Sequence, residues 1–176
     1  MVFAFFVLLG GARAQTITCP RPTISGTPTE KQVLEKFYCD TGGANWINKT
    51  NWGATDIGTW YRVITNQQGK VNGLRLSDNK LTGTIRTELG SLSSLEHLRL
   101  NGNQLSDMIP PELGNLTSLI QLHLHTNKLT GKIPDLSRLS SLTELRLNGN
   151  QLSEMIPTQL GSLTRLVFLF LNGNGL

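Results

Sequence analysis

The residues best suited to chemistry in this chain recur at a fixed interval. Arg75, Arg99, His123, Arg146 and Phe170 stand 24, 24, 23 and 24 residues apart, each between two leucines of a Leu-x-Leu triplet. Two positions earlier the same interval reads Gly73, His97, Gln121, Glu144, Phe168, and two positions later it reads Ser77, Asn101, His125, Asn148, Asn172. Strands that stack side by side lie ~4.8 Å apart, so the first series predicts a near-continuous basic column ending in an aromatic ring. A guanidinium fork matches carboxylates and sulfates, and arginine and aromatic side chains are favoured anchors at interfaces. Stacked like charges repel, so the column is read as a ligand-binding surface carried by Arg75, Arg99, His123, Arg146, Phe168 and Phe170. The alternative is a solvated face inherited by duplication, since Arg99 and Arg146 sit in copies of one segment, Leu-Arg-Leu-Asn-Gly-Asn-Gln-Leu-Ser.

Other chemistries find less support. His97, His123 and His125 are the only histidines. Two of them lie on one strand face and the third one copy away, a spacing that can hold a transition metal. Such ligands need supporting partners, so solvated histidines and no metal are expected. Their ordinary pKa of ~6.5 makes binding sensitive to pH. There is no G-x-S-x-G, no H-E-x-x-H and no phosphate-cradling glycine loop; the reading is not an enzyme, with no cofactor. The net charge of +4 comes without a basic run or an aromatic–basic stripe, which argues against nucleic acid.

The elements that must position this column are the copies themselves. Val71-x-x-Leu74-x-Leu76-x-x-Asn79-x-Leu81 opens the series, and Leu95, Leu119, Leu142 and Leu166 begin the next four copies. The Leu-x-Leu alternation reads as a short strand with one buried face. The asparagine that follows carries two donors and an acceptor, enough to satisfy turn backbone groups. After it come a return segment and a turn in which Ile109, Leu113 and Leu116, spaced by four and three, share a face. Pro110 or Pro111 can start that turn without losing a needed N–H. One copy cannot bury its leucines alone; stacking buries them, at ~1.5–3 kcal/mol per leucine. A fixed period of this length with L-x-x-L-x-L-x-x-N-x-L in each copy signals a leucine-rich-repeat solenoid. A longer period of two repeats overlies it, so the surface alternates in character along the coil.

Leu81-Thr82-Gly83-Thr84-Ile85 and Leu129-Thr130-Gly131-Lys132-Ile133-Pro134 resemble the L-T/S-G-x-I-P signature of plant-type extracellular leucine-rich repeats. The block from Gly42 to Val63, with Trp46, Trp52 and Trp60, is similar to the N-terminal cap of such proteins, as in receptor-like ectodomains. The resemblance implies an α/β solenoid: a right-handed superhelix or horseshoe with a parallel concave sheet, a second outer sheet, and short 3-10 or helical turns on the convex side. Arg86 stands where proline is usual, and Arg62, Asp107 and Glu154 where glycine is usual. An irregular outer sheet is therefore expected at repeats two and four.

The remaining segments complete the domain plan. Residues 1–14 read as a signal peptide: Val2 to Leu9 is apolar, Ala12-Arg13-Ala14 fits a cleavage site, and the run is too short to span a bilayer. An arm follows at 15–26, then a cap at 27–70, then five repeats at 71–176, the last one short. In the cap, Thr27-Pro28-Thr29-Glu30 is read as a capping box with proline first in the helix. Val33, Leu34 and Phe37 supply its apolar face, and a hairpin turning at Asn66–Gly69 leads into the first repeat strand. The tryptophans are expected to cover the open end of the solenoid; a sugar-stacking platform is the other reading. Cys19 and Cys39 are the only cysteines. Export permits a disulfide between them, worth about 3 kcal/mol; two unpaired thiols are the alternative. Asn48-Lys49-Thr50 and Asn115-Leu116-Thr117 are glycosylation sequons.

Taken together, the sequence predicts a secreted or cell-surface, non-catalytic recognition module. Its expected partner is an extracellular protein or peptide, or an acidic glycan, bound on the concave face. A wall scaffold without a specific ligand, or a fragment of a receptor ectodomain, is the alternative. The last repeat closes at Leu176 without a polar cap, so Leu166, Leu169 and Leu171 are expected to face water on one side unless something covers them.

Overall fold

The computed structural model describes residues 16–19 and 26–176; the expected signal peptide lies outside the described residues. A helix, α1 (Glu30–Asp40), opens the cap and buries Val33, Leu34 and Phe37. Its N-cap is Thr29, two residues later than the sequence suggests. The Thr29 hydroxyl accepts from the Gln32 amide at 3.3 Å, and the Gln32 side chain accepts from the Thr29 amide at 2.8 Å. The Glu30 carboxylate turns to the first repeat strand instead, where Oε2 accepts from the Val71 amide at 3.0 Å. Cys39, in the last turn of α1, is joined by a disulfide to Cys19.

Trp46, Trp52 and Trp60 are buried and pack as a chain, with ring centroids 4.8 Å apart at each step. Each indole N–H donates to a carbonyl: Trp46 to Thr41, Trp52 to Tyr61 and Trp60 to Ala54. They form the core beneath the cap, with no faces left open for a stacked sugar.

Two sheets run along the solenoid. The inner one has six strands: β1 (Val63–Thr65), β2 (Val71–Arg75), β4 (His97–Arg99), β6 (Gln121–His123), β8 (Glu144–Arg146) and β10 (Phe168–Phe170). The β1–β2 hairpin is antiparallel and every later pairing is parallel. The outer sheet has four strands: β3 (Thr82–Thr84), β5 (Gln104–Met108), β7 (Lys128–Gly131) and β9 (Gln151–Leu152). Short 3-10 turns at Thr87–Ser91, Pro111–Asn115 and Thr158–Ser162 cross the convex side. The one 23-residue step is where such a turn is missing, between Pro134 and Leu142. At Gly90 a Cβ would meet the Glu112 carbonyl at 2.3 Å; the missing side chain lets successive convex turns close up.

The asparagines join the coils. The Asn103 carbonyl oxygen accepts from the amides of Asn79 and Leu81 in the preceding coil, at 3.0 Å each. Its amide nitrogen donates to the Leu76 and Leu100 carbonyls at 2.9 Å. Asn127, Asn150 and Asn174 repeat the arrangement with one amide of the preceding coil each, those of Leu105, Leu129 and Leu152. Asn79 has no preceding repeat; there the backbone of Asn48 in the cap substitutes, donating to Asn79 at 2.7 Å and accepting from it at 2.9 Å. Between these ladders the strand leucines from Leu74 to Leu147 are fully buried. In the last coil burial falls away as expected, and Leu169 is 45% exposed.

The outer sheet departs from expectation at repeat two. Asp107 takes the left-handed backbone conformation, φ 70°, that Gly83 and Gly131 take at the same place in repeats one and three. The strand nevertheless runs unbroken to Met108. Aspartate tolerates this region because its short carboxylate bonds locally; here Oδ1 accepts from the Met108 amide at 2.9 Å. In repeat four Glu154, φ 72°, has a longer side chain, and β9 is only two residues long, followed by an isolated bridge from Ser153 to Gly175. Irregularity is thus confined to repeat four.

The Asn103→Ala substitution strands two amides and two carbonyls inside the stack. We expect it to lower unfolding stability by about 3 kcal/mol or more, measured by urea denaturation; a loss below about 1 kcal/mol would remove the ladder from its coil-joining role.

Candidate functional site

The inner strands pair without a slip across the repeats, so the columns read in the sequence are columns in space. Arg75 faces Arg99, Arg99 faces His123, His123 faces Arg146, and Arg146 faces Phe170. Beside them run Gly73, His97, Gln121, Glu144 and Phe168 in the same register. All six residues expected to bind ligand therefore lie on one face. Arg75, Arg99 and Arg146 are half-buried, His123 is buried, and Phe168 and Phe170 are exposed at 52% and 38%.

The column is not an unrelieved ladder of positive charge, as the sequence suggests. Glu144, 8% exposed, sits beside it in the neighbouring column and accepts from Arg146 Nε at 2.5 Å. Its other oxygen accepts from Gln121 Nε2 at 2.9 Å and lies 3.1 Å from His123 Nε2. That last approach is close enough for attraction but off the line of a hydrogen bond. The Gln121 carbonyl oxygen accepts from Arg99 Nη2 at 2.6 Å and faces His97 Nδ1 at 3.0 Å. Arg146 also lies over the Phe170 ring, 4.9 Å from its centroid, a favourable cation–π distance. Gln121 and Glu144 were visible in the sequence as members of the neighbouring column. What marked them as important was only that they are polar residues next to arginine and histidine.

Burial weakens the basicity of the histidines. All three have pKa values below the ordinary 6.5, and in each burial is the largest cause. The Arg75 guanidinium adds to the depression at His97, and Arg146 adds to it at His125. At His123 the Glu144 carboxylate pulls the other way without cancelling it. For Glu144 burial alone raises the pKa, and the contacts to Arg146 and His123 outweigh it, leaving the carboxyl below its usual range. Among the described residues no three His, Cys, Asp or Glu side chains converge as a metal site; the His97 and His123 rings are turned to Gln121 and Glu144 instead.

Away from this face, Asn115 is exposed on a convex turn, where its carbonyl oxygen accepts from Arg138 Nη1 at 2.8 Å. Asn48 is half-buried, and its side-chain oxygen accepts from the Thr50 amide and hydroxyl at 3.0 and 2.8 Å. Its backbone role in capping the asparagine ladder is invisible in a three-residue sequon.

The Leucine Rich Repeat family pattern matches residues 70–92, 94–116 and 141–163. The crystal structure of the BIR2 ectodomain from Arabidopsis thaliana is similar at 32% identity and a TM-score of 0.76, over 85% of this chain and 82% of that one. The chain belongs to the plant-type leucine-rich-repeat ectodomain family. The crystal structure of the BIR3–SERK2 complex, also from Arabidopsis thaliana, gives 36% identity and a TM-score of 0.65, over 72% and 70%. The structure of PEPR1 with AtPEP1 gives 27% identity and a TM-score of 0.73, over 82% of this chain but 21% of that one. No curated protein sequence gives a significant match. Among the described residues of this family member no helix is long and apolar enough to cross a membrane.

The depressed histidines set a direction for pH dependence. The unfolded chain takes up their protons at higher pH than the folded one, so their contribution to stability is complete above about pH 6.5 and is lost as pH falls through the folded values. Glu144, also depressed, adds a further loss below its unfolded pKa of about 4.5. We expect the thermal midpoint to fall as pH drops below about 6.5, and His123→Gln to flatten that slope. A midpoint that rises on acidification would contradict the assignment.

Proposed function

We propose that this chain is a non-catalytic extracellular recognition module that takes a protein or peptide along its concave face. In this reading residues 1–14 are a cleaved leader, 27–70 cap the solenoid and 71–176 carry the repeats. The observation that carries it is the in-register column from Arg75 to Phe170, with Phe168 beside its end. Half-buried arginines held by Gln121 and Glu144 are ordered before any ligand arrives, which lowers the entropic cost of binding. The exposed rings of Phe168 and Phe170 offer apolar area at one end, where aromatic anchors contribute most. The relatives point the same way. BIR3 was solved with SERK2, PEPR1 with AtPEP1 and RGFR1 with RGF2. Those partners favour a protein or peptide over an acidic glycan.

A pull-down from extracellular extract at low and high salt tests the face. The wild-type protein is expected to retain a partner that the Arg99→Ala/Arg146→Ala double variant loses by at least about tenfold, more so at low salt. Equal retention by both proteins would favour a scaffold with no ligand on this surface.

The two sequons are proposed as N-glycan acceptors, Asn115 foremost because it is exposed on the convex side, where a glycan leaves the concave face clear. A mass shift on the secreted protein, removed by glycosidase and reduced by Asn115→Gln, is the expected result; a secreted protein of unshifted mass would reject it.

A further inference from the structure

At the end of the concave face nearest the cap, a residue from outside the repeats joins the first two arginines of the column. Tyr61, Arg62, Arg75, Ser77, Asp78 and Arg99 line a recess of about 310 Å³. Arg62 enters it from the cap in a left-handed backbone conformation, φ 62°, with its guanidinium 5.5 Å from the Tyr61 ring centroid. The Arg62 carbonyl accepts from the Arg75 amide at 3.0 Å, and Arg75 pairs in register with Arg99. Three guanidinium groups are thereby brought together from the cap and the first two repeats.

Their charges are not matched. Asp78 is the only carboxylate lining the recess, and the ion pairs within 4.0 Å among the described residues involve Lys36, Arg86, His123 and Arg146 rather than these three arginines. Arg99 spends one nitrogen on the neutral Gln121 carbonyl oxygen. The Nε atoms of Arg75 and Arg99 are buried and have no acceptor. Native structures rarely leave buried donors unpaired, and such a group calls for an explanation. The Ser77 hydroxyl donates to Asn101 at 2.7 Å and carries no negative charge to balance the arginines. An oxyanion in the recess would accept from the guanidinium groups that line it and neutralise the excess charge, in the geometry guanidinium groups favour.

We propose that this recess is an oxyanion site that anchors a carboxylate of the ligand, with Arg62, Arg75 and Arg99 as its donors. The site deepens the concave-face reading and rests on it. It also gives the ligand a direction. Four inter-strand steps separate Arg75 from Phe170, about 19 Å at ~4.8 Å per step, which an extended peptide of roughly six residues spans. An acidic group sits at the cap end and an apolar side chain meets Phe168 and Phe170 at the other.

Small ions test the recess without any partner, so that it can fail while the pull-down succeeds, and the reverse. The guanidinium Nε–H resonances of Arg75 and Arg99 are followed by NMR during titration with acetate, with inorganic sulfate and with chloride. Saturable shifts with acetate, and with sulfate as the same chemistry in free form, are expected at these two groups and at the Arg62 guanidinium. Arg62→Ala and Arg75→Ala should each weaken binding about tenfold, while Arg138→Ala on the convex side should leave it unchanged. Saturation by sulfate alone would replace the carboxylate with a sulfate or phosphate group and overturn the peptide-carboxylate assignment. Shifts that never saturate, or that chloride reproduces, would overturn the site itself. The wild-type titration decides the matter even if a variant fails to fold.

Discussion

Everything in this structure depends on joining one coil to the next without leaving turn backbone unpaired. A strand of three residues cannot stand alone, and the turn after it exposes amides and carbonyls on the side where the neighbouring coil must pack. A side-chain amide is suited to the task because it both donates and accepts. Asn103 spans the gap, taking two amides of the earlier coil and giving to a carbonyl in each. Where no earlier repeat exists, the Asn48 backbone supplies the same two bonds to Asn79. The cap therefore does more than cover apolar surface with tryptophan. It continues the hydrogen-bond pattern of the stack by one step.

The concave face inherits its order from that join. Because the leucines and asparagines admit a single register, every residue between the strand leucines is stacked on its counterpart, whatever its charge. Arginine above arginine is unfavourable by itself. The neighbouring column relieves it: Gln121 and Glu144 thread between Arg99, His123 and Arg146, and the cluster becomes a network with one buried carboxylate. The relief stops at the cap end. Arg62, Arg75 and Arg99 have no such carboxylate bound among them. The face is thus electrostatically graded, from open cations at one end, through a centre that holds a buried carboxylate, to exposed aromatic rings at the other.

How much of this could be read from the residues alone differs from one feature to another. The repeat, the inner sheet, its register and the membership of the column between the strand leucines followed from Leu-x-Leu and Asn spacing, because burial of leucine and pairing of backbone are periodic demands that leave a periodic trace. The helix cap was misplaced by two residues: the box closes between Thr29 and Gln32, while Glu30 reaches Val71, 41 positions away. Asp107 could keep the outer strand regular because of a local bond to Met108 that no pattern of glycine replacement reveals.

The sequence by itself determined the architecture and the list of residues that share the concave face, since both rest on spacing. The tertiary structure alone decided which of those charges are balanced and which are not. Side-chain contacts of a few ångströms here join residues 21 or more positions apart, as between His123 and Glu144 or Arg99 and Gln121. It also decided that Arg62, a cap residue outside the repeat pattern, joins Arg75 and Arg99, because only the left-handed turn at Arg62 and its backbone bond to β2 bring that side chain to the recess.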